Sequence, residues 1–255
     1  MFRRFDSALV RLMPVVAAVS LWAPAVDAQT APLPAAKDIV AKYVAAIGGE
    51  AAFKAIKSAR TRGQFSLAAQ RLTGDIEIIA ARPGKIRQKV TIGAIGTIEQ
   101  GYDGKNAWSV NPLAGPSLQT GRELAETKDD AMFDGQLLGP ELVKEMSVEG
   151  RQTFEGANCY KVKMVFHSGS LQTTYFDIAT GLLRGYETER ATPQGVVPTT
   201  HVVREWKKFG TVMQPSTVIE RGLQLESVVT VTAIEYDNVK DIEFDPPAEV
   251  KALIK

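Results

Sequence analysis

Residues 60–244 form a succession of short runs in which apolar and polar residues alternate, interrupted once, at 120–147, by an apolar stretch of helical character. Alternation with period two buries one face of a strand and wets the other, which is the pattern of an antiparallel sheet. A sheet this long has a large apolar face to hide. The interruption therefore reads as a cover for that face, and a cover that fills the space incompletely leaves a pocket.

The first half of the run shows the pattern clearly. Phe65 and Leu67 alternate with Gln64, Ser66 and Ala68; Leu72, Ile76 and Ile78 alternate with Thr73, Asp75 and Glu77; Ile86, Val90 and Ile92 alternate with Arg87, Lys89 and Thr91. Pro83-Gly84 and Asp103-Gly104 supply turns, the second between 98–102 and 107–110. After the interruption, Tyr160, Val162, Met164 and Phe166 alternate with Lys161 and Lys163, and five further strands follow to residue 236. The last of these, 223–236, is apolar on both faces and is expected to be the longest strand, central or covered on both sides. The fold class expected is mainly β with an α cover. It is a single curved antiparallel sheet, an incomplete barrel of about ten to twelve strands, closed by an N-terminal helix and a helical insert.

Ahead of the strands, Ile39, Val40, Tyr43, Val44 and Ile47 fall on one helical face, and Gly48-Gly49 stops that helix. A second short helix is expected at 50–57, with Phe53 and Ile56 inward. The insert opens on Thr120-Gly121-Arg122-Glu123, which has the spacing of a capping box. Leu124, Ala131, Met132, Phe133, Leu137 and Leu138 give it an apolar stripe, Gly139-Pro140 breaks it, and Leu142, Val143 and Met146 resume it. Two amphipathic helices with a Gly-Pro hinge fit this spacing, either as core helices closing the sheet or as a movable lid.

Residues 1–28 read as an export signal: Arg3, Arg4 and Arg11 precede or edge an apolar stretch to Ala25, and Val26-Asp27-Ala28 ends it. The stretch is interrupted by Pro14 and Pro24 and is shorter than the ~20 apolar residues a spanning helix needs. Cleavage after Ala28 would leave a lead-in at 29–36 and one domain at 37–255, with the insert at 120–147. It removes three of 30 basic and two of 29 acidic residues, leaving 27 of each and a formal charge of zero. A neutral chain without basic clusters has no electrostatic attraction to nucleic acid or to an anionic membrane. The single cysteine, Cys159, excludes an intramolecular disulfide and is expected to be a buried, inert thiol.

Catalytic signatures are scarce. His167 precedes Ser168-Gly169-Ser170, a turn without the Gly-x-Ser-x-Gly elbow, and His201 opens a strand with a surface or half-buried neutral role expected. There is neither a His-Glu-x-x-His run nor a Cys-x-x-Cys pair. Asp129-Asp130 reads as a solvated helix face. The expectation is a non-enzyme with no cofactor and no metal.

Several local runs resemble the periplasmic lipoprotein-carrier superfamily (LolA/LolB-like, of the outer-membrane lipoprotein-sorting type). Gly101-Tyr102-Asp103-Gly104-Lys105-Asn106-Ala107-Trp108 is similar to its Asp-Gly-x-x-x-Trp hairpin, and Phe176-Asp177-Ile178-Ala179-Thr180-Gly181-Leu182 to its Phe-Asp-x-x-Thr-Gly-Leu corner. Trp206 to Phe209 with Met213-Gln214-Pro215 resembles its Phe-Gly-x-x-x-Pro edge, and Phe244-Asp245-Pro246-Pro247 its exit. The resemblance implies an apolar cavity between a curved sheet and helices, and a soluble periplasmic carrier of a lipid or acyl chain, that of a lipoprotein included. The alternative is an envelope interaction or sensor module of the same fold. The cavity candidates are Phe65, Leu67, Ile76, Ile78, Val90, Ile92 and Trp108 from the sheet, and Leu124, Met132, Phe133, Leu137 and Leu142 from the insert. Arg60 and Arg62 are the nearest candidates for a cavity arginine, with ordinary surface charge the other reading. The partners expected are a hydrophobic ligand and an envelope protein, with no nucleic acid and no stable membrane insertion.

Overall fold

The alternating runs become strands of one sheet in the computed structural model, which describes residues 32–93, 95–192 and 195–254. The export-signal expectation for 1–28 lies outside the described residues. Six strands precede the insert: β1 (Ser58–Leu67), β2 (Leu72–Ala81), β3 (Lys85–Ile92), β4 (Gly96–Tyr102), β5 (Ala107–Asn111) and β6 (Gly115–Leu118). Seven follow it: β7 (Val143–Phe154), β8 (Ala157–Phe166), β9 (Leu171–Asp177), β10 (Leu183–Thr192), β11 (Gly195–Phe209), β12 (Val212–Gly222) and β13 (Leu225–Tyr236).

Each strand of the first group pairs antiparallel with the next, and so does each strand of the second. β1 then pairs with β13, Phe65 opposite Val229, joining the groups into one curved thirteen-stranded sheet with β6 and β7 at its edges. The expected ten to twelve strands become thirteen because the short β6 and the edge strand β7 are strands of their own. Those two edge strands are consecutive in the chain. The segment between them therefore runs from one edge of an unclosed barrel to the other, and this topology makes it a cover.

The cover is one helix, α3 (Gly121–Ala131), and a 3₁₀ turn at Gly135–Leu137. The expected second helix after Gly139-Pro140 does not form: Val143 already pairs with Phe166 in β7. A short apolar run suits either element, and here the unpaired edge of β8 decides in favour of a strand. The expected capping box is also absent, because Thr120 makes no side-chain cap bond; Glu123 lines the interior.

Two helices at the start of the unit Leu33–Lys255 fill one end of the concave face. α1 (Ala36–Ala46) buries Ile39, Val40 and Tyr43, and its Tyr43 ring meets Phe176 at 5.4 Å and Trp206 at 6.2 Å. α2 (Glu50–Lys54) is shorter than expected and buries Phe53. Gly48, at φ +119°, ends α1 where an added Cβ would lie 3.1 Å from the Thr211 carbonyl oxygen. Leu137, Leu138 and Leu142 join this core, so the second part of the insert is packed interior.

The outer face is covered at one end by the C-terminal segment. Arg60 donates to Glu243 at 2.5 Å, Arg87 donates to the Glu243 carbonyl at 2.7 Å, and α4 (Ala248–Lys251) follows. Phe244 and Val250 are buried.

β13 sits at the middle of the strand order but has no buried residue, and at 12 residues it is shorter than the 15-residue β11. Apart from exposed Leu225, its apolar residues are half-covered on both sides and fully covered on neither. The hairpin entering it turns on Leu223 and Gln224, both left-handed at φ 50° and 63°. Two consecutive left-handed residues suit Asn-Gly, so Leu223→Asn with Gln224→Gly is expected to raise stability by about 1 kcal/mol. A urea midpoint that does not move upward would contradict this turn.

Candidate functional site

β10 and β11 carry polar residues on both faces. Tyr186, Thr188 and Arg190 share one face of β10, and register places Tyr186 opposite His201 of β11, which is opposite Glu220 of β12. That face is the concave one, shared with Phe65 and Leu67 of β1. Over it lies α3, whose Glu123, Glu126, Thr127 and Asp130 recur at the spacing of a single helical face. The space between them is about 760 Å³.

A second space of about 390 Å³ adjoins it, lined by Tyr43, Met132, Leu138, Leu142, Leu183, Val203, Trp206 and Val218. Asp129, Asp130, Phe166, Gln172, Tyr186 and His201 border both. The interior is thus divided into a polar chamber under α3 and a smaller apolar one against α1.

The polar chamber is electrostatically organised. Arg190 forms a bidentate pair with Asp130, and Glu126, only 3% exposed, stands 3.9 Å from its Nε. Glu126 also accepts from Arg122 Nε at 2.7 Å and from the Ala191 backbone N–H at 2.9 Å. Burial opposes the charge of Arg190, yet the Asp130 and Glu126 carboxylates outweigh it and hold the guanidinium above its ordinary value. These bonds tie α3 to β10.

His201 stacks on the Tyr186 ring at 4.4 Å, with its Nδ1 3.8 Å from Glu220. Burial, aided by Arg190, lowers the imidazole to about 4, so it is neutral at physiological pH. Burial pushes the Glu220 and Asp129 carboxyls above the usual range. A depressed histidine pKa means that the unfolded chain takes up the proton first. The contribution of neutral His201 is therefore fully present above about pH 6.5 and is lost as pH falls toward 4. That loss amounts to about 3 kcal/mol. The wild type is expected to lose more stability than His201→Gln across this window in urea titrations. Parallel pH profiles would contradict a buried neutral imidazole.

The sequence-based cavity candidates separate into groups. Phe65 and Leu67 line the polar chamber, and Met132 and Leu142 the apolar one. Ile76, Val90 and Ile92 pack together on the concave face with half-buried Ile78, beside the chambers. Leu137 is core, Leu124 is half-buried, and Phe133 lies under the Arg82 guanidinium at 5.0 Å. Trp108 is on the outer face, in register with Gly101 and Arg87 and fully buried. Arg60 and Arg62 are also on the outer face, paired with Glu77, Glu243 and Glu235; the arginine of the interior is Arg190. Asp129 and Asp130, read from sequence as a solvated face, are half-buried and exposed respectively, and both also border the chambers. Cys159 is buried, with its thiol pushed up to about 11, mainly by burial, and is inert on that account.

No family model and no curated protein matches the sequence. The fold has clear counterparts among solved structures, and it is LolA-like. A LolA superfamily protein of Nitrosomonas europaea superposes with a TM-score of 0.55 at 11% identity, over 84% of this chain and 99% of that one. A DUF1329 family protein of Desulfovibrio piger gives 0.54 at 11% identity, over 84% and 98%. A domain of a putative outer membrane lipoprotein-sorting protein of Vibrio parahaemolyticus gives 0.51 at 10%, over 82% and 95%. Among the described residues no helix is long and apolar enough to cross a membrane.

Proposed function

We propose that this protein is a carrier of the bacterial cell envelope that holds a ligand with a hydrophobic part between its curved sheet and α3. The observation that carries this reading is the pair of adjoining chambers, about 760 and 390 Å³, under a cover that runs from edge to edge. Spaces of that size suit a small ligand. Alkyl burial, at roughly 25 cal/mol per Å² before binding costs, supplies affinity without a catalytic group. The lipoprotein-sorting description of the Vibrio neighbour supports a carrier as the class. With this reading go a periplasmic location, residues 1–28 as a cleaved signal, and no enzymatic activity.

The test is to purify the protein from the envelope of an expressing bacterium, extract it with organic solvent and analyse the extract by mass spectrometry. A lipid or amphiphile recovered near one per chain is the expected result. Extracts indistinguishable from those of an unrelated envelope protein would contradict the proposal.

A second reading draws on a different observation. Leu171, Val196, Leu223 and Leu225 are exposed at hairpin ends that register places at one end of the sheet. Such a rim suits a protein partner, and Leu223 and Leu225 also border the polar chamber. Docking there is compatible with ligand transfer.

A further inference from the structure

We propose that the ligand of these chambers is an amphiphile with a cationic head, an inference that rests on the carrier reading. Its basis is the imbalance of charge around the larger chamber. Arg190 is the single guanidinium or ammonium group on the wall of either chamber among the described residues, and it is already engaged by Asp130 and Glu126. Three further carboxylates, Glu123, Asp129 and Glu220, line the same space, and among the described residues no guanidinium or ammonium is in salt-bridge contact with them. The one imidazole there, His201, is neutral. What remains for an entering head group is net negative charge and hydrogen-bond acceptors.

The arrangement is built by two independent elements. Glu123 comes from the inward face of α3, whereas Glu220 is on β12 beyond His201. Asp129, at the end of α3, borders both chambers, so a head reaching it leaves its alkyl part facing Trp206, Val203 and Leu183. Burial raises the carboxyls of both Asp129 and Glu220, and the Arg190 guanidinium, already engaged by Asp130, offsets this only in part. A carboxylate or phosphate head entering here meets like charge in a partly enclosed space, and it could reach Arg190 only by displacing Asp130. An ammonium head meets Asp129 and Glu220 directly. The neutral side chains around them, Gln88, Gln100 and Gln172 among others, tolerate either sign. The wall thus excludes anions more strongly than it selects among cations.

The experiment keeps the alkyl chain constant and varies the head. The full exported chain is saturated with the uncharged apolar fluorophore N-phenyl-1-naphthylamine. Dodecylammonium, dodecanol and dodecanoate then compete for it at sub-micellar concentration, near neutral pH and low salt. Dodecylammonium is expected to displace the probe about tenfold or more better than dodecanoate, with dodecanol between them. The preference should shrink as salt is raised. It should also fall to within about threefold in a folded Asp129→Asn, Glu220→Gln double variant, its fold checked by melting temperature. Equal displacement by all three, or a preference for dodecanoate, would overturn the head-group inference and leave the carrier reading standing. A preference that survives undiminished in the double variant would overturn the assignment to these carboxylates. Failure of the fluorophore and of every competitor to bind would overturn both readings.

Discussion

Leu137→Asp is expected to destabilise the protein by about 3–5 kcal/mol, whereas Phe133→Asp, four residues earlier, should cost about 1–2 kcal/mol. The two side chains belong to the same insert but to different environments. Leu137 is 6% exposed within the core that holds Ile47, Tyr43, Val162 and Met164, so a carboxylate there has neither water nor a cation. Phe133 packs against the same core but is only half-buried, and an aspartate in its place would lie near Arg82, which already pairs with Asp134. Chemical denaturation separates the outcomes directly. The contrast divides the apolar part of the insert: the 3₁₀ turn is core, whereas Phe133, between α3 and that turn, is its half-covered margin. Equal losses at both positions would contradict that division.

Removal of residues 241–255 is expected to lower the melting temperature by roughly 10–20 °C. The segment buries Phe244 and Val250, about 1.5–3 kcal/mol each, and shields an outer face that includes fully buried Trp108. It also supplies Glu243, whose loss leaves Arg60, a side chain only 11% exposed, with Glu77 alone at 3.2 Å. Arg87 keeps Glu99 but loses the Glu243 carbonyl. Glu243→Gln should reproduce a small part of the effect, since it retains the apolar contacts. A truncated chain that melts within a few degrees of the intact one would show that the outer face needs no cover.

The sheet was legible because its concave face at β1 to β3 is apolar and its outer face charged, so period-two alternation survives in Phe65, Leu67, Ile76, Ile78, Val90 and Ile92. The interior was less legible for the same reason. Where the concave face lines the chamber, at Tyr186, Thr188 and Arg190, it is polar like the outer face carrying Glu187 and Glu189, and alternation vanishes. A strand polar on both sides inside a large sheet is the available signal that one wet face is internal. The pairing of Asp130 and Glu126 with Arg190 left no local signal either, because Arg190 lies 60 and 64 positions on in the chain. Trp108 offered no local clue to its side, since the C-terminal segment that covers the outer face arrives more than 130 residues later. Val143 became strand through an unpaired edge, which no window around Gly139-Pro140 contains.

The account stands on a space under α3 that takes a hydrophobic ligand, and plugging that space tests it most directly. Ser227 faces the polar chamber from β13, so Ser227→Phe adds a ring to the space while removing only a hydroxyl. Titration of N-phenyl-1-naphthylamine should show saturable binding near one site per wild-type chain, weakened about tenfold or more by Ser227→Phe at unchanged melting temperature. Identical titrations of the two proteins, or no saturable binding to the wild type, would contradict a ligand held between the sheet and its cover.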